Sequence, residues 1–170
     1  MLASATLLAD DHVVLFDEDV DFSVFKSFIV GGGQMKSDRA ELKFPAVMSA
    51  LAEAIRTGFA ARSLKESSDR SDLMVDFIVT GVDYAIGPFG RANIVSGGRG
   101  RRGAPGAGMA VDFTEATLVI DVKDMRTSTL IWRGVFHDTE NDARKLADAL
   151  PRDAATLVAQ YPPKKKQRSS

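Results

Sequence analysis

The residues of this chain whose types could do chemistry are few and scattered. His12 and His137 are its two imidazoles, available in principle to bind a metal or move a proton. Gly98 to Gly103 read G-R-G-R-R-G, the letters of a dinucleotide-binding loop, and Asp17, Asp19 and Asp21 alternate like the opening of a calcium loop. Asp121 and Arg133 supply a carboxylate and a guanidinium that could pair with each other or hold a polar ligand.

Their surroundings decide most of these cases. The histidines share no H-x-H or H-x-x-x-H spacing, so two scattered imidazoles do not make a metal site. A dinucleotide loop needs a strand before it and a helix after it, whose amide-rich start takes the pyrophosphate. Here Ala104-Pro105-Gly106-Ala107-Gly108 follows, which cannot begin a stable helix. In the acidic segment Phe22 stands where a calcium loop needs glycine and Phe28 where it needs a bidentate glutamate. With no cysteine in the chain there is no disulfide, thiolate zinc site or cysteine nucleophile. Serines are plentiful, but none sits in a G-x-S-x-G elbow. No catalytic residue, metal or cofactor is therefore expected, and Asp121 with Arg133 stays as the candidate binding pair, joined by Arg99, Arg101 and Arg102 of the glycine-rich stretch.

The elements that must position these residues follow from periodicity. Short β-rich runs cover His12 to Phe16 and Phe22 to Val30, the second ending at Gly31-Gly32-Gly33. Pro45 suits a first helical turn, and Met48, Leu51, Ala52, Ile55 and Phe59 then form one apolar stripe on a helix from about Ala46 to Ala61. Leu73 to Tyr84 alternates, with Leu73, Val75, Phe77 and Val79 on one face and a half-polar second face of Met74, Asp76, Ile78 and Thr80. Two β-rich runs between Thr117 and His137 flank a polar turn and read as a hairpin, placing Leu118, Ile120 and Val122 with Leu130, Trp132 and Phe136 on its core face. That face is expected to pack on the helix bearing Leu51 and Ile55. A last helical run holds Ala143, Leu146, Leu150, Ala154, Leu157 and Val158, and Pro151 within it predicts two helices or a kink. The opposite face of the hairpin then carries Asp121 and Arg133 within reach of each other across the two strands.

The chain has 170 residues, 45% of them apolar, enough for one globular domain that buries roughly two-thirds of its unfolded surface. The expected organisation is a single domain over 12–163 with a flexible Gly/Arg-rich loop at 97–108, where six of twelve positions are glycine, and a basic tail at 164–170. Net charge is −1, but eight of the 22 basic residues lie in and around that loop and in the tail, leaving 14 against 23 acidic ones, a body of net −9. Such a body repels polyanions. The apolar stretches are too short for a membrane-spanning helix, which takes about 18 residues. MLASATLLA at the start contains an A-x-A pattern at Ala3-Ser4-Ala5 and is followed by Asp10 and Asp11, which fits the remnant of a secretion signal as well as it fits a frayed N-terminus over 1–11.

Four landmarks in order resemble one family. DEDVDFSVFKSF, SDLMVDF, TLVIDVKDMRTSTLIWRG and AQYPPK resemble the successive conserved segments of the domain of unknown function 4136 family, uncharacterised bacterial cell-envelope proteins that are often lipoproteins. The resemblance implies an α+β two-layer sandwich, a mostly antiparallel sheet of about five strands with two main helices, in the periplasm or cell envelope. It supplies no catalytic residues, and this chain lacks the lipobox cysteine of many members. The expectation is a non-catalytic envelope domain whose partner is a protein, lipid or glycan. The alternative is binding of a polyanion or nucleic acid through the arginine loop and lysine tail, against which stand the acidic body and the near absence of stacking aromatics beside those basic residues.

Overall fold

The computed structural model describes residues 12–86, 92–94, 111–140 and 142–162. Among them eight strands form a single mixed sheet with two α-helices. The strands are β1 (His12–Phe16), β2 (Ser27–Val30), β3 (Gln34–Ser37), β4 (Lys65–Glu66), β5 (Leu73–Ile86), β6 (Ala92–Ile94), β7 (Val111–Asp124) and β8 (Thr129–Glu140). The helices are α1 (Pro45–Ala60) and α2 (Ala143–Val158). The order across the sheet is β1-β8-β7-β5-β2-β4, with β3 and β6 also on β5.

The long antiparallel pairs β5–β7 and β7–β8 are the frame, as the alternation in those segments demands. The expectation of about five mostly antiparallel strands needs correction, because β2 and β3 run parallel to β5, as β4 does to β2. Parallel pairing requires a crossover, and α1 supplies it between β3 and β5. The early apolar run also divides differently: Phe22–Val24 is a 3-10 turn capped by Asp21, and β2 begins at Ser27. Between β2 and β3, Gly31 to Gly33 oppose only Asp76 and Phe77, a one-residue bulge that lets a single path along β5 continue past a break.

Both helices lie on one face. Leu51, Ile55 and Phe59 of α1 are buried with Leu146, Leu150, Ala154, Leu157 and Val158 of α2 against Leu73, Val75, Phe77, Val79, Leu118, Ile120, Val122 and Trp132 of the sheet. Pro45 takes the first turn of α1, where its missing N–H costs nothing. Pro151 does not split α2. The buried leucines before it and the buried Ala154 and Leu157 after it hold one helix together through a residue that costs ~3 kcal/mol in isolation. Where the helices end together, the guanidinium of Arg62 donates to the carbonyls of Val158 and Ala159, a cation placed on a helix C-terminus.

The hairpin departs from a regular ladder at one point. Val122 opposes Trp132 but Lys123 opposes Leu130, so Ile131 is the extra residue of a β-bulge and is buried. Leu130 is thereby moved off the core face on which strict alternation put it. Trp132 is fully buried, but its neighbours correct the expected partner: the indole lies near Leu157 of α2 and meets the ring of Tyr161 edge-on at 6.0 Å. Tyr161 in turn lies 5.0 Å from the ring of Phe59, so α1 is reached through a tyrosine from beyond the end of α2.

Candidate functional site

The face of the sheet opposite the helices is the candidate. Strand alternation brings there the half-polar positions of β5 and β7 together with their counterparts on β8, β1 and β3. The cross-strand register arranges them in rows. An apolar row runs Val13, Val135, Val119, Ile78, ending at Gln34 on β3. Beside it runs a charged row of Arg133, Asp121 and Asp76. On the other side Thr117 opposes Thr80 and His137.

Asp121 and Arg133 meet as the sequence suggested. Arg133 Nε donates to Asp121 Oδ1 at 2.6 Å and Nη2 to Oδ2 at 2.7 Å, a two-pronged charge-assisted pair. The hydrogen bonds that Arg133 donates to Asp121 raise the guanidinium's proton affinity further against the opposing effect of burial. Asp76, which faces Asp121 across β5 and β7, takes Lys123 Nζ at 3.1 Å, so two adjacent carboxylates each have a base of their own. Thr117 Oγ1 lies 2.9 Å from His137 Nδ1. The charged groups Asp76, Asp121, Lys123 and Arg133 of this face are thus paired with one another. A concavity of about 190 Å³ opens on it, lined by Gln34, Asp76, Ile78, Val119, Asp121 and Lys123.

Lys123, Asp76, Ile78 and Val119 were not singled out from the sequence. The signal was present in the half-polar second face of β5, but which β7 residues stand beside it depends on register. Arg99, Arg101 and Arg102 lie outside the described residues. His12 and His137 are separated, one on each face: His12 is buried and stacked on Phe136, His137 is exposed on the open face. Among the described residues no cluster of three metal-ligating side chains occurs. Asp17, Asp19 and Asp21 form turns, Asp17 accepting from the Asp19 amide and Asp21 from the Ser23 amide.

Two further features lie under the helices. An open groove of about 700 Å³ separates α1 from the glycine bulge, bordered by Met48, Ala52, Glu53, Arg56 and Phe77. Asp153 of α2 is a buried carboxyl; burial first, then the charge of Asp138, pushes its pKa up to about 6 against the pull of Arg152.

The chain is similar to solved structures at low identity. A PDZ domain protein from Parabacteroides distasonis superposes with a TM-score of 0.61 and 12% identity over 92% of this chain, which spans 36% of that protein's length. A PelC dodecamer from Paraburkholderia phytofirmans gives a TM-score of 0.42 at 14% identity, covering 94% of this chain and 92% of its own. A comparison with curated proteins gives no match. The family model described as domain of unknown function (DUF4136) matches residues 13–163, which take in both helices and all of the sheet except His12, and the chain belongs to that family.

Proposed function

We propose that this chain is a non-catalytic binding domain of the bacterial cell envelope and that it engages its partner, a protein, lipid or glycan, through the open face of the sheet. The observation that carries the reading is the row of half-buried Val13, Val135, Val119 and Ile78, without helical cover among the described residues and bordered by ion pairs satisfied among themselves. Apolar surface framed by polar groups is the anatomy of an interface, whereas catalysis needs an unsatisfied or perturbed group at the surface. The envelope location rests on the family resemblance and on the signal-like start of the sequence.

The test is fractionation followed by binding. Expressed from its natural gene, the protein is expected in the periplasmic or membrane fraction; recovery in the cytosol overturns the location. The purified chain is expected to co-sediment with outer-membrane vesicles, peptidoglycan sacculi or envelope protein, and Ile78→Lys or Val119→Lys to weaken that about tenfold or more, the effect of ~1.4 kcal/mol. Binding to no envelope component, or binding indifferent to both changes, overturns the role of the face. Tight, salt-sensitive binding to nucleic acid that Arg99/Arg101/Arg102→Ala abolishes would establish the polyanion alternative instead.

A further inference from the structure

The concavity on the open face has its cause in the backbone. The bulge at Gly31 to Gly33 lies opposite Asp76 and Phe77, so the charged row of Arg133, Asp121 and Asp76 ends at glycines, with no side chain to continue it. A Cβ built on Gly32 meets no described atom within 4 Å. The resulting space of about 190 Å³ is bordered by Ile78 and Val119 of the apolar row, by Gln34 where that row ends on β3, and by Asp76, Asp121 and Lys123.

Its charged groups are fixed by one another. Lys123 Nζ donates to Asp76 Oδ2 at 3.1 Å, and Arg133 donates to both oxygens of Asp121 at 2.6 and 2.7 Å. Two carboxylates and two bases sum to zero charge, yet each carboxylate oxygen keeps a lone pair and the ammonium keeps donors beyond these bonds. Gln34 is exposed and adds an amide that both donates and accepts.

This arrangement selects against ions and against acyl chains. A cation must compete with Lys123 and Arg133 for carboxylates already taken, and an anion meets Asp76 and Asp121 facing each other across β5 and β7. An acyl chain strips water from both ion pairs without replacing its hydrogen bonds. A neutral ring bearing adjacent hydroxyls, each a donor and an acceptor, matches the polar groups, and its C–H surface suits Ile78 and Val119. The volume lies below the roughly 300–1,000 Å³ of drug-sized sites, room for one such ring.

We infer that the concavity binds one neutral sugar residue of a glycan, its hydroxyls bonded to Asp76, Lys123 and Gln34 and its C–H surface on Ile78 and Val119. The inference rests on the open face being the binding surface, and it narrows the partner to a glycan. Because the concavity opens on the sheet face, the rest of the glycan lies outside it.

The experiment is an NMR titration of the full isotope-labelled chain with the methyl glycosides of glucose, galactose, mannose and N-acetylglucosamine, each a single residue carrying a glycosidic linkage. Expected is saturable binding in the millimolar range by at least one of them, with shifts at Gln34, Ile78, Val119 and Lys123. Glucosamine and glucuronic acid, a cationic and an anionic sugar, should bind about tenfold or more weakly. Gly32→Val fills the space from a backbone that is not left-handed and against no described neighbour, so it should abolish the shifts while the melting temperature stays unchanged. Gln34→Ala should weaken binding about tenfold. No saturable shift at these residues with any neutral glycoside, equal binding of a charged sugar, or binding indifferent to Gly32→Val overturns the inference. Binding of the free sugars but of none of their methyl glycosides also overturns it, by assigning a free monosaccharide. If no sugar binds but Ile78→Lys still weakens attachment to an envelope component, only the glycan fails and the open face stands. Sugar binding at these residues without any envelope attachment leaves the sugar site and removes the envelope role.

Discussion

Gly134 makes room for Trp132: a Cβ built on Gly134 stands 2.6 Å from the indole Cη2 and 3.2 Å from Leu157 Cδ2. The two residues lie on the same face of β8, and the glycine lets the largest side chain of the core fold down between the strand and α2. Gly134→Ala is therefore expected to cost about 1–3 kcal/mol by overpacking, and Trp132→Ala about 3–5 kcal/mol by leaving a cavity. Denaturant titration measures both, and a loss under about 1 kcal/mol for Trp132→Ala would contradict its burial.

The crossing of α1 and α2 rests on a second glycine. A Cβ on Gly58 would lie 2.6 Å from Val158 Cγ1 and 3.0 Å from its Cβ, a contact that no rotation of a short branched side chain removes. Gly58→Ala gains up to about 1 kcal/mol of helix propensity, yet a net loss of about 1–2 kcal/mol is expected. Adding Val158→Ala should recover part of that loss. A double-mutant cycle with no coupling would show that the helices do not touch there.

Asp153 gives stability an unusual pH dependence. Its folded pKa of about 6 lies above the ordinary 3.8, so the native state holds the proton more tightly than the unfolded chain. The resulting stabilisation is complete below about pH 4 and is lost as pH rises through 6, roughly 2–3 kcal/mol in all. Asp72 and Asp124 act with the opposite sign. The Lys26 amide chiefly holds Asp72 below its usual range, and for Asp124 burial is outweighed by bonds from Arg126 and Thr127. Their contribution is present above about pH 4 and disappears as pH falls through their lowered values. Equilibrium unfolding from pH 3 to 8 should show greater stability near pH 4–5 than at pH 7. Asp153→Asn should be more stable than the parent at pH 7, with the difference vanishing near pH 4; an advantage independent of pH would refute the titration.

The Asp121–Arg133 pair is expected to matter little to stability. Arg133's side chain is 41% exposed, and solvent screens most of what two short hydrogen bonds offer. Asp121→Asn and Arg133→Gln should each cost less than about 1 kcal/mol, shrinking further in high salt. Thermal unfolding at low and high ionic strength checks this. If either change weakens envelope binding while leaving stability alone, the pair belongs to the interface.

The sequence alone was enough for the long elements. Period-two alternation from Leu73 onward and in the hairpin, and the three–four spacing of Leu51, Ile55 and Phe59, are local consequences of which face is buried, so they can be read without coordinates. The facing of Asp121 and Arg133 was legible for the same reason, since both sit off the apolar stripe of one hairpin.

What tertiary structure decided are matters of register and of competition between neighbours. Lys65–Glu66 and Gln34–Ser37 are too short to carry a period, and they become parallel strands only because α1 returns the chain beside β5. Ile131 entered the core, and Leu130 left it, because a bulge spends one residue that alternation counts. Pro151 stayed within a helix because burial on both sides of it outweighs one lost hydrogen bond. The open face itself was visible only as a half-polar strand. Its apolar row and its neighbouring carboxylates exist because β5, β7 and β8 align Ile78 with Val119 and Val135, and Asp76 with Asp121, an alignment fixed by contacts among segments far apart in the chain.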